Sequence, residues 1–306
     1  MKEQNVIKTS IQCKPFLKWA GGKGQLLDTI ISYLPNDMSA VKTYVEPFVG
    51  SGAVMFYVIS NYQNITQIII NDLNTELINL YSVIKDDVES LIANLKELDK
   101  EYKSFSTVEE CSIYYYRIRE EFNNRCCKSD DRNIRLAALF VFLNRTCFNG
   151  LYRVNGKNLF NVPFGKYQNP KICDEDNLRA VNKVLQRVTI LNCDFADTIQ
   201  YADIDTLFYL DPPYKPISAT SSFNTYSTVL FDDEQQIRLK SFCDTLHLHN
   251  AKFILSNSDP KGVDENNTFF DDLYHNYNIY RVEAKRNINS KGDKRGKINE
   301  LLITNF

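Results

Sequence analysis

The tetrapeptide Asp211-Pro212-Pro213-Tyr214 follows directly on an unbroken apolar run, Leu207 to Leu210. A residue before proline is pushed out of the helical region, so Asp211 and Pro212 are both held extended. Pro212 still offers a carbonyl. The geometry predicts two acceptors side by side, the Asp211 carboxylate and the Pro212 carbonyl, with the Tyr214 ring close by. That set suits a planar group carrying an NH2. The amino nitrogen of adenine or cytosine is a poor nucleophile, because its lone pair is delocalised into the ring. Acceptors that take both its hydrogens draw the nitrogen towards tetrahedral and free the lone pair, provided they are fixed in a dry pocket. A base reached in this way has left its helix, and stacking on an aromatic ring offsets part of the unstacking cost.

A second chemical signal is "TYVEPFVGSGAVMF", a strand, then Gly50-Ser51-Gly52, then a helix. Such a turn lets a ligand approach the backbone, with helix N–H groups facing it. Asp72 closes the next strand, 20 residues beyond Gly52. An acid there accepts hydrogen bonds from ribose hydroxyls in doubly wound folds. The dinucleotide fingerprint is incomplete, since Met55 stands at its last glycine position. The reading is a ligand that carries a ribose; a purely structural turn is the alternative. Upstream, "FLKWAGGKGQLL" is not a Walker loop, because Leu17 replaces the first glycine and Gly24 follows the lysine. It sets Trp19, the only tryptophan, and Lys23 just ahead of a helix.

The elements that must position these groups follow from periodicity. Strands are expected at Thr43–Phe48, Gln67–Asn71, Val188–Asn192, Thr206–Leu210, Lys252–Ser256, Tyr280–Ala284 and Leu301–Thr304. Helical periodicity fills Gly24–Tyr33, Ala53–Asn61 and Thr75–Leu98, then "SIYYYRIREEF", "NIRLAALFVFL" and "DNLRAVNKVLQRV", with Asp176 or Asn177 placed to cap the last. Strand–helix alternation at the start points to a parallel α/β sheet. The expected architecture is one α/β domain, 1–75 and 188–306, interrupted by a mainly helical insertion, 76–187.

Composition sets limits. The chain has 306 residues, 43% hydrophobic and 24% charged, as an ordinary globular protein does. Neither an apolar run long enough to span a bilayer nor a signal-peptide core is seen, so a cytoplasmic location is expected. Eight cysteines without a CxxC pair and three histidines, with "HLH" at 247–249 read as solvated or packed, make a metal site unexpected. Net charge is only −2, yet Arg281 to Lys297 carries seven basic residues against two acids, and arginines including Arg117, Arg119, Arg132, Arg135, Arg145 and Arg153 gather mid-chain beside Lys128. A local basic patch on a neutral protein suits a partner held by its phosphates.

Taken in order, "FLKWAGGK", "EPFVGSGA", "IIIND" and "LDPPY" resemble the Dam-like, alpha-ordered N6-adenine DNA methyltransferases, as do "NRTCFNGLYRVNGKNLFNVPFGKY" (144–167) and "KRNINSKGDKRGKINELLITN" (285–305). The resemblance implies a Rossmann-like S-adenosylmethionine-dependent methyltransferase sheet with an inserted target-recognition domain. It implies that Trp19 and Lys23 line the S-adenosylmethionine pocket, that Glu46, Phe48, Gly50 and Gly52 wrap the methionine part, that Asp72 holds the ribose, and that Asp194 and Phe195 belong to the adenine pocket. Asp211, Pro212 and Tyr214 would handle the target amine of a flipped adenine, with Asp211 an orienting acceptor at the cofactor's edge. Lys18, Phe148, Asn149, Leu151 and Arg153 become candidate base-readers in double-stranded DNA, with Arg145 and Asn155 beside them. "FNGLYRVN" looks like the version found in methylases of GATC; relatives that read longer GAT-containing sites look similar. Phe148 stands where tyrosine also occurs in the family, and a phenyl ring still stacks. A separately acting restriction endonuclease is a conceivable companion, and a monomer or weak dimer is expected.

Three rival readings compete with this one. An NAD-dependent oxidoreductase would use the glycine turn and Asp72, but leaves Asp211 to Tyr214 without a task. A Mg-dependent nuclease would use Asp272, Glu283 and Lys285 in a D…ExK arrangement, a pattern short enough to arise by chance. A non-catalytic DNA-binding module would need neither the cofactor turn nor the tetrapeptide. RNA or a protein amide as acceptor presents similar NH2 groups, and the segment 144–167 favours DNA.

Overall fold

The computed structural model describes residues 13–19, 23, 26–126, 133–215, 231–285 and 297–306. The glycines Gly21, Gly22 and Gly24, the basic residues Lys128 and Arg132, and most of the basic stretch, 286–296, lie outside the described residues.

Seven strands form one sheet: β1 (Thr43–Glu46), β2 (Gln67–Asn71), β3 (Val188–Leu191), β4 (Thr206–Leu210), β5 (Lys252–Ser258), β6 (Asn278–Lys285) and β7 (Lys297–Thr304). Their order is β3-β2-β1-β4-β5-β7-β6. The first five run parallel, and β7 is antiparallel to both of its neighbours. This is an α/β sheet, five parallel strands with an antiparallel pair at one edge. The apolar strands lack alternation because both faces are covered. Leu207 and Tyr209 join one core with Tyr44, Ile68 and Ile70; Phe208 and Leu210 join the other with Val45, Ile69 and Leu255. β1 stops two residues early at Glu46, since Pro47 has no N–H for the ladder.

The helices are α1 (Leu27–Ser32), α2 (Ala53–Asn61), α3 (Thr75–Asp86), α4 (Val88–Ser104), α5 (Val108–Cys126), α6 (Ile134–Thr146), α7 (Glu175–Leu185), α8 (Asp233–Leu248) and α9 (Phe269–Leu273). The single helix expected from Thr75 to Leu98 is two. Asp87 ends α3 by donating its N–H to the Val83 carbonyl and starts α4 by accepting the Ser90 N–H at 3.2 Å. The cap expected at Asp176 or Asn177 is displaced to Asp174. Asn177 is inside α7, where its amide accepts the Lys14 N–H and donates to the Lys14 carbonyl, both at 3.0 Å. Periodicity assigns no helix to 233–248; in α8 the buried Gln236 interrupts the apolar stripe of Leu239, Phe242, Cys243 and Leu246.

Between α6 and α7 the chain has no strand, only the bridges Cys147–Phe164 and Val154–Phe160 that fold 147–164 back on itself. α6 is apolar on almost every side because α3, α4 and α5 surround it. Its core continues into the sheet: Leu139 and Phe142 share one buried cluster with Ile68, Ile70 and Leu207.

Candidate active site

Four parallel strands end in, or just before, an acid. Glu46 closes β1, Asp72 follows β2, Asp194 follows β3 and Asp211 follows β4. The chain order reverses between β1 and β4, so the carboxyl ends of these strands open the crevice in which α/β sheets hold ligands.

Asp211 does not stand alone there. The Lys23 ammonium, with only 4% of its side chain exposed, lies 3.0 Å from Asp211 Oδ1 and 3.5 Å from Glu300 Oε2. It also donates to the Tyr214 hydroxyl and sits 4.2 Å from that ring's centroid. Tyr214 in turn donates to Glu300 Oε2 at 2.6 Å. Burial raises the Asp211 carboxyl from 3.8 to about 6, with Lys23 opposing that rise and Glu300 adding to it. The turn itself is pinned from beneath. Gln236 Nε2 donates to the Pro213 carbonyl at 3.3 Å, and Asn257 Nδ2 donates to Gln236 Oε1 at 3.0 Å. Ser258 Oγ donates to the Lys215 carbonyl at 2.8 Å. Gln236 and Asn257 are fully buried, so their amides have no water to prefer.

The glycine turn is built around left-handed backbone, with φ +47° at Gly50 and +69° at Gly52. A Cβ at Gly50 would stand 3.0 Å from the Trp19 indole, and one at Gly52 would stand 2.7 Å from the Tyr81 hydroxyl. Tyr81 donates to the Gly50 carbonyl at 3.0 Å. Asp72 accepts the Gly50 N–H at 3.1 Å and the Asn74 N–H at 3.0 Å, while burial still pushes its carboxyl up. Glu46 is buried and accepts the Tyr44 hydroxyl at 2.6 Å; burial drives it up to about 8. Phe48 and Phe195 pack at 5.4 Å. Asp194 is gripped by both Arg238 nitrogens at 2.6 and 2.8 Å, which hold its carboxyl below the ordinary range, and the same guanidinium lies 4.6 Å over the Phe195 ring. Trp19 stacks on Tyr152 at 5.8 Å, its indole joining the turn to the 147–164 loop.

The family model for D12 class N6 adenine-specific DNA methyltransferases matches residues 19–288. The chain belongs to that family. Among curated relatives, a type II methyltransferase, M.MjaIII of Methanocaldococcus jannaschii, is 47% identical over 97% of this chain and 100% of its own length. The type II methyltransferase M1.LlaDCHI of Lactococcus lactis subsp. cremoris is 36% identical over 98% of each chain. The DNA adenine methylase of Escherichia coli is 36% identical over 94% of each.

D12 methyltransferases act on DNA, and the candidate base-readers of this member fall on one loop and the segment that crosses it. The buried Asn144 ties the two. It accepts the Lys18 N–H at 2.9 Å and donates to the carbonyls of Lys18 and Gly150, at 2.7 and 3.0 Å. The Lys18 ammonium lies 4.6 Å over Tyr167, whose hydroxyl accepts the Asn149 N–H at 3.2 Å. Asn149 is left-handed at φ 55°, and Phe148 is 51% exposed. Leu151 is half-buried, and Arg153 is held by Asn161 Oδ1 at 2.8 Å. Two candidates are occupied otherwise. Arg145 points inward and donates to the Phe16 carbonyl at 2.7 Å, its Nε buried without a partner and burial lowering its basicity. Asn155 is exposed, and its Oδ1 accepts the N–H groups of Lys157 and Leu159 at the loop tip.

Sequence reading singled out neither Glu300 nor Gln236, Asn257, Tyr81 and Arg238. No local motif marks them, because each acts across more than 20 residues of chain. Asp272 receives the Thr268 hydroxyl at 2.6 Å, and no group of three His, Cys, Asp or Glu able to hold a metal occurs among the described residues. His247 and His249 are exposed, and no described helix is long and apolar enough to cross a membrane.

Proposed function

We propose that the chain transfers a methyl group from S-adenosylmethionine to the N6 amine of an adenine flipped out of double-stranded DNA, within GATC. The observation that supports this most is the Asp211–Lys23 pair at the carboxyl end of β4, with the Tyr214 ring beside it. An ionised Asp211 oriented by a buried ammonium would accept one amine hydrogen and the Pro212 carbonyl the other. The freed lone pair would take the methyl as its bond to the sulfonium sulfur breaks, and the proton the methylated nitrogen sheds would leave by way of Asp211 to solvent. Tyr214 offers the stacking face that a flipped base needs.

The residues fit S-adenosylmethionine, the co-substrate the family generally uses. Gly50 and Gly52 leave the backbone bare where a Cβ would meet Trp19 and Tyr81. Asp72, aimed by two N–H groups, keeps lone pairs for ribose hydroxyls. Glu46, pushed up to about 8 chiefly by burial, would ionise beside the ammonium of a bound S-adenosylmethionine. Trp19, Phe48, Asp194 and Phe195 complete the walls. When bound, S-adenosylmethionine supplies an electrophilic methyl on a sulfonium. Lys18, Phe148, Asn149, Leu151 and Arg153 read the bases, and the basic C-terminal stretch beyond Arg281, whose own guanidinium is held by Asp259 and Asp271, contacts phosphates, which position without specifying. The name type II methyltransferase on the 47% relative supports a companion endonuclease of the same specificity.

Tritiated S-adenosylmethionine, EDTA and two duplexes differing only in GATC test the reading. Label on the GATC duplex alone, recovered as N6-methyladenine, is expected. Equal label on both removes the site assignment, and label on neither removes GATC as the target and turns the search to longer DNA sites or RNA.

A further inference from the structure

Glu300 is in β7, opposite Ser258 of β5 and Val282 of β6, 86 residues beyond Tyr214. Its Oε2 meets two members of the target site at once, the Tyr214 hydroxyl at 2.6 Å and the Lys23 ammonium at 3.5 Å. The ammonium has three N–H groups, and Asp211, Tyr214 and Glu300 are three acceptors around it. Because Tyr214 gives its proton to Glu300, its oxygen lone pair is left for Lys23 and its hydroxyl cannot turn to Asp211. A carboxylate oxygen needed by a substrate amine is thereby kept free of an internal donor. Glu300 also decides the local charge. Lys23 and Asp211 cancel, and the second carboxylate leaves the cluster net negative, which favours the positive charge that grows on the amine during methyl transfer.

We propose that Glu300 is a positioning residue of the methyl-transfer site, fixing Lys23 and Tyr214 and setting the acceptor strength of Asp211. This rests on the reading that Asp211 handles the target amine. The charged and titratable groups that face Asp211 are Lys23, Glu300 from β7, Tyr209 of its own strand, Tyr214 beyond the turn, and Tyr44 and Glu46 from β1. Of these, Glu300 adds to the rise of the Asp211 carboxyl and Lys23 opposes it. Removing the Glu300 charge therefore lets Asp211 ionise at lower pH and makes it a weaker acceptor.

The test is Glu300→Gln in the full chain, assayed for label transfer across pH on a GATC duplex. Turnover should fall about ten- to a hundredfold, the size expected for a lost charged hydrogen bond. The acid limb of kcat/KM should move to lower pH, while the Kd for S-adenosylhomocysteine, read by calorimetry, stays within about threefold. Glu300→Asp restores the charge and should return the limb to its wild-type position. Turnover equal to wild type overturns the proposal. So does lower turnover with an unmoved limb, which marks packing alone. If Glu300→Gln does not fold, Tyr214→Phe removes the Tyr214–Glu300 hydrogen bond without touching β7, and full activity in that variant overturns the proposal. Failure of wild-type protein to label GATC strikes the functional reading instead.

Discussion

Replacing Asp211 by Asn separates what the carboxylate does for the reaction from what it costs the fold. Asn reproduces the protonated acid in shape and charge. If its oxygen faces the Lys23 ammonium, where Asp211 Oδ1 lies at 3.0 Å, its NH2 faces the substrate amine and two donors oppose each other. The lost acceptor should lower turnover by about 10²–10³, the size seen when one preorganised transition-state partner is removed. The pH profile should change as well. Wild-type kcat/KM should fall below an apparent value near 6, where Asp211 takes up its proton, and the variant should show no limb there. Stability should move the opposite way. The folded carboxyl keeps its proton to about 6 and the unfolded one only to 3.8, so the folded state binds more protons between those values. The contribution of this group is then fully present below 3.8 and is lost as pH rises through 6. The rise corresponds to about 3 kcal/mol, so at pH 8 Asp211→Asn should melt roughly 5 °C above wild type. The gap should close towards pH 4. Scanning calorimetry at both pH values, with single-turnover labelling, measures each arm. A variant that melts lower at pH 8, or labels within threefold of wild type, refutes the reasoning.

Arg153→Ala should relax discrimination at one base pair by about 1–3 kcal/mol, if the guanidinium exchanges its hold on Asn161 for a base edge; labelling of single-substituted GATC duplexes reads this, and uniform weakening on all of them marks a phosphate contact instead. Gly52→Ala forces a Cβ to 2.7 Å from the Tyr81 hydroxyl at φ +69°, so the Kd for S-adenosylhomocysteine should rise at least tenfold by calorimetry, and an unchanged value refutes a cofactor role for the turn.

Much of this molecule was legible in the chain because the signals were local. The apolar runs of β1, β2 and β4 are buried on both faces, and a short uninterrupted run is what such a strand requires. Gly50 and Gly52 sit at positive φ, and Asp211 before a proline is restrained by its own neighbour. Errors arose where one residue served two elements. Asp87 ends one helix and begins the next without a glycine or proline to announce it, and Asn177 caps nothing because Lys14 of the distant N-terminal segment claims its amide.

What the sequence determined alone is the inventory: a strand ending in Asp-Pro-Pro-Tyr, a glycine turn, and acids at strand ends. What the tertiary structure decided is which groups share a charge. Lys23 precedes Asp211 by 188 residues and Glu300 by 277, yet their side-chain atoms converge within 3.5 Å. They meet because β7 enters antiparallel beside β5 and carries Glu300 to the crevice where the parallel strands end. Spacing along a chain constrains neighbours in a turn or a helix. It says nothing of partners joined through a sheet, where hydrogen-bond register sets the distance.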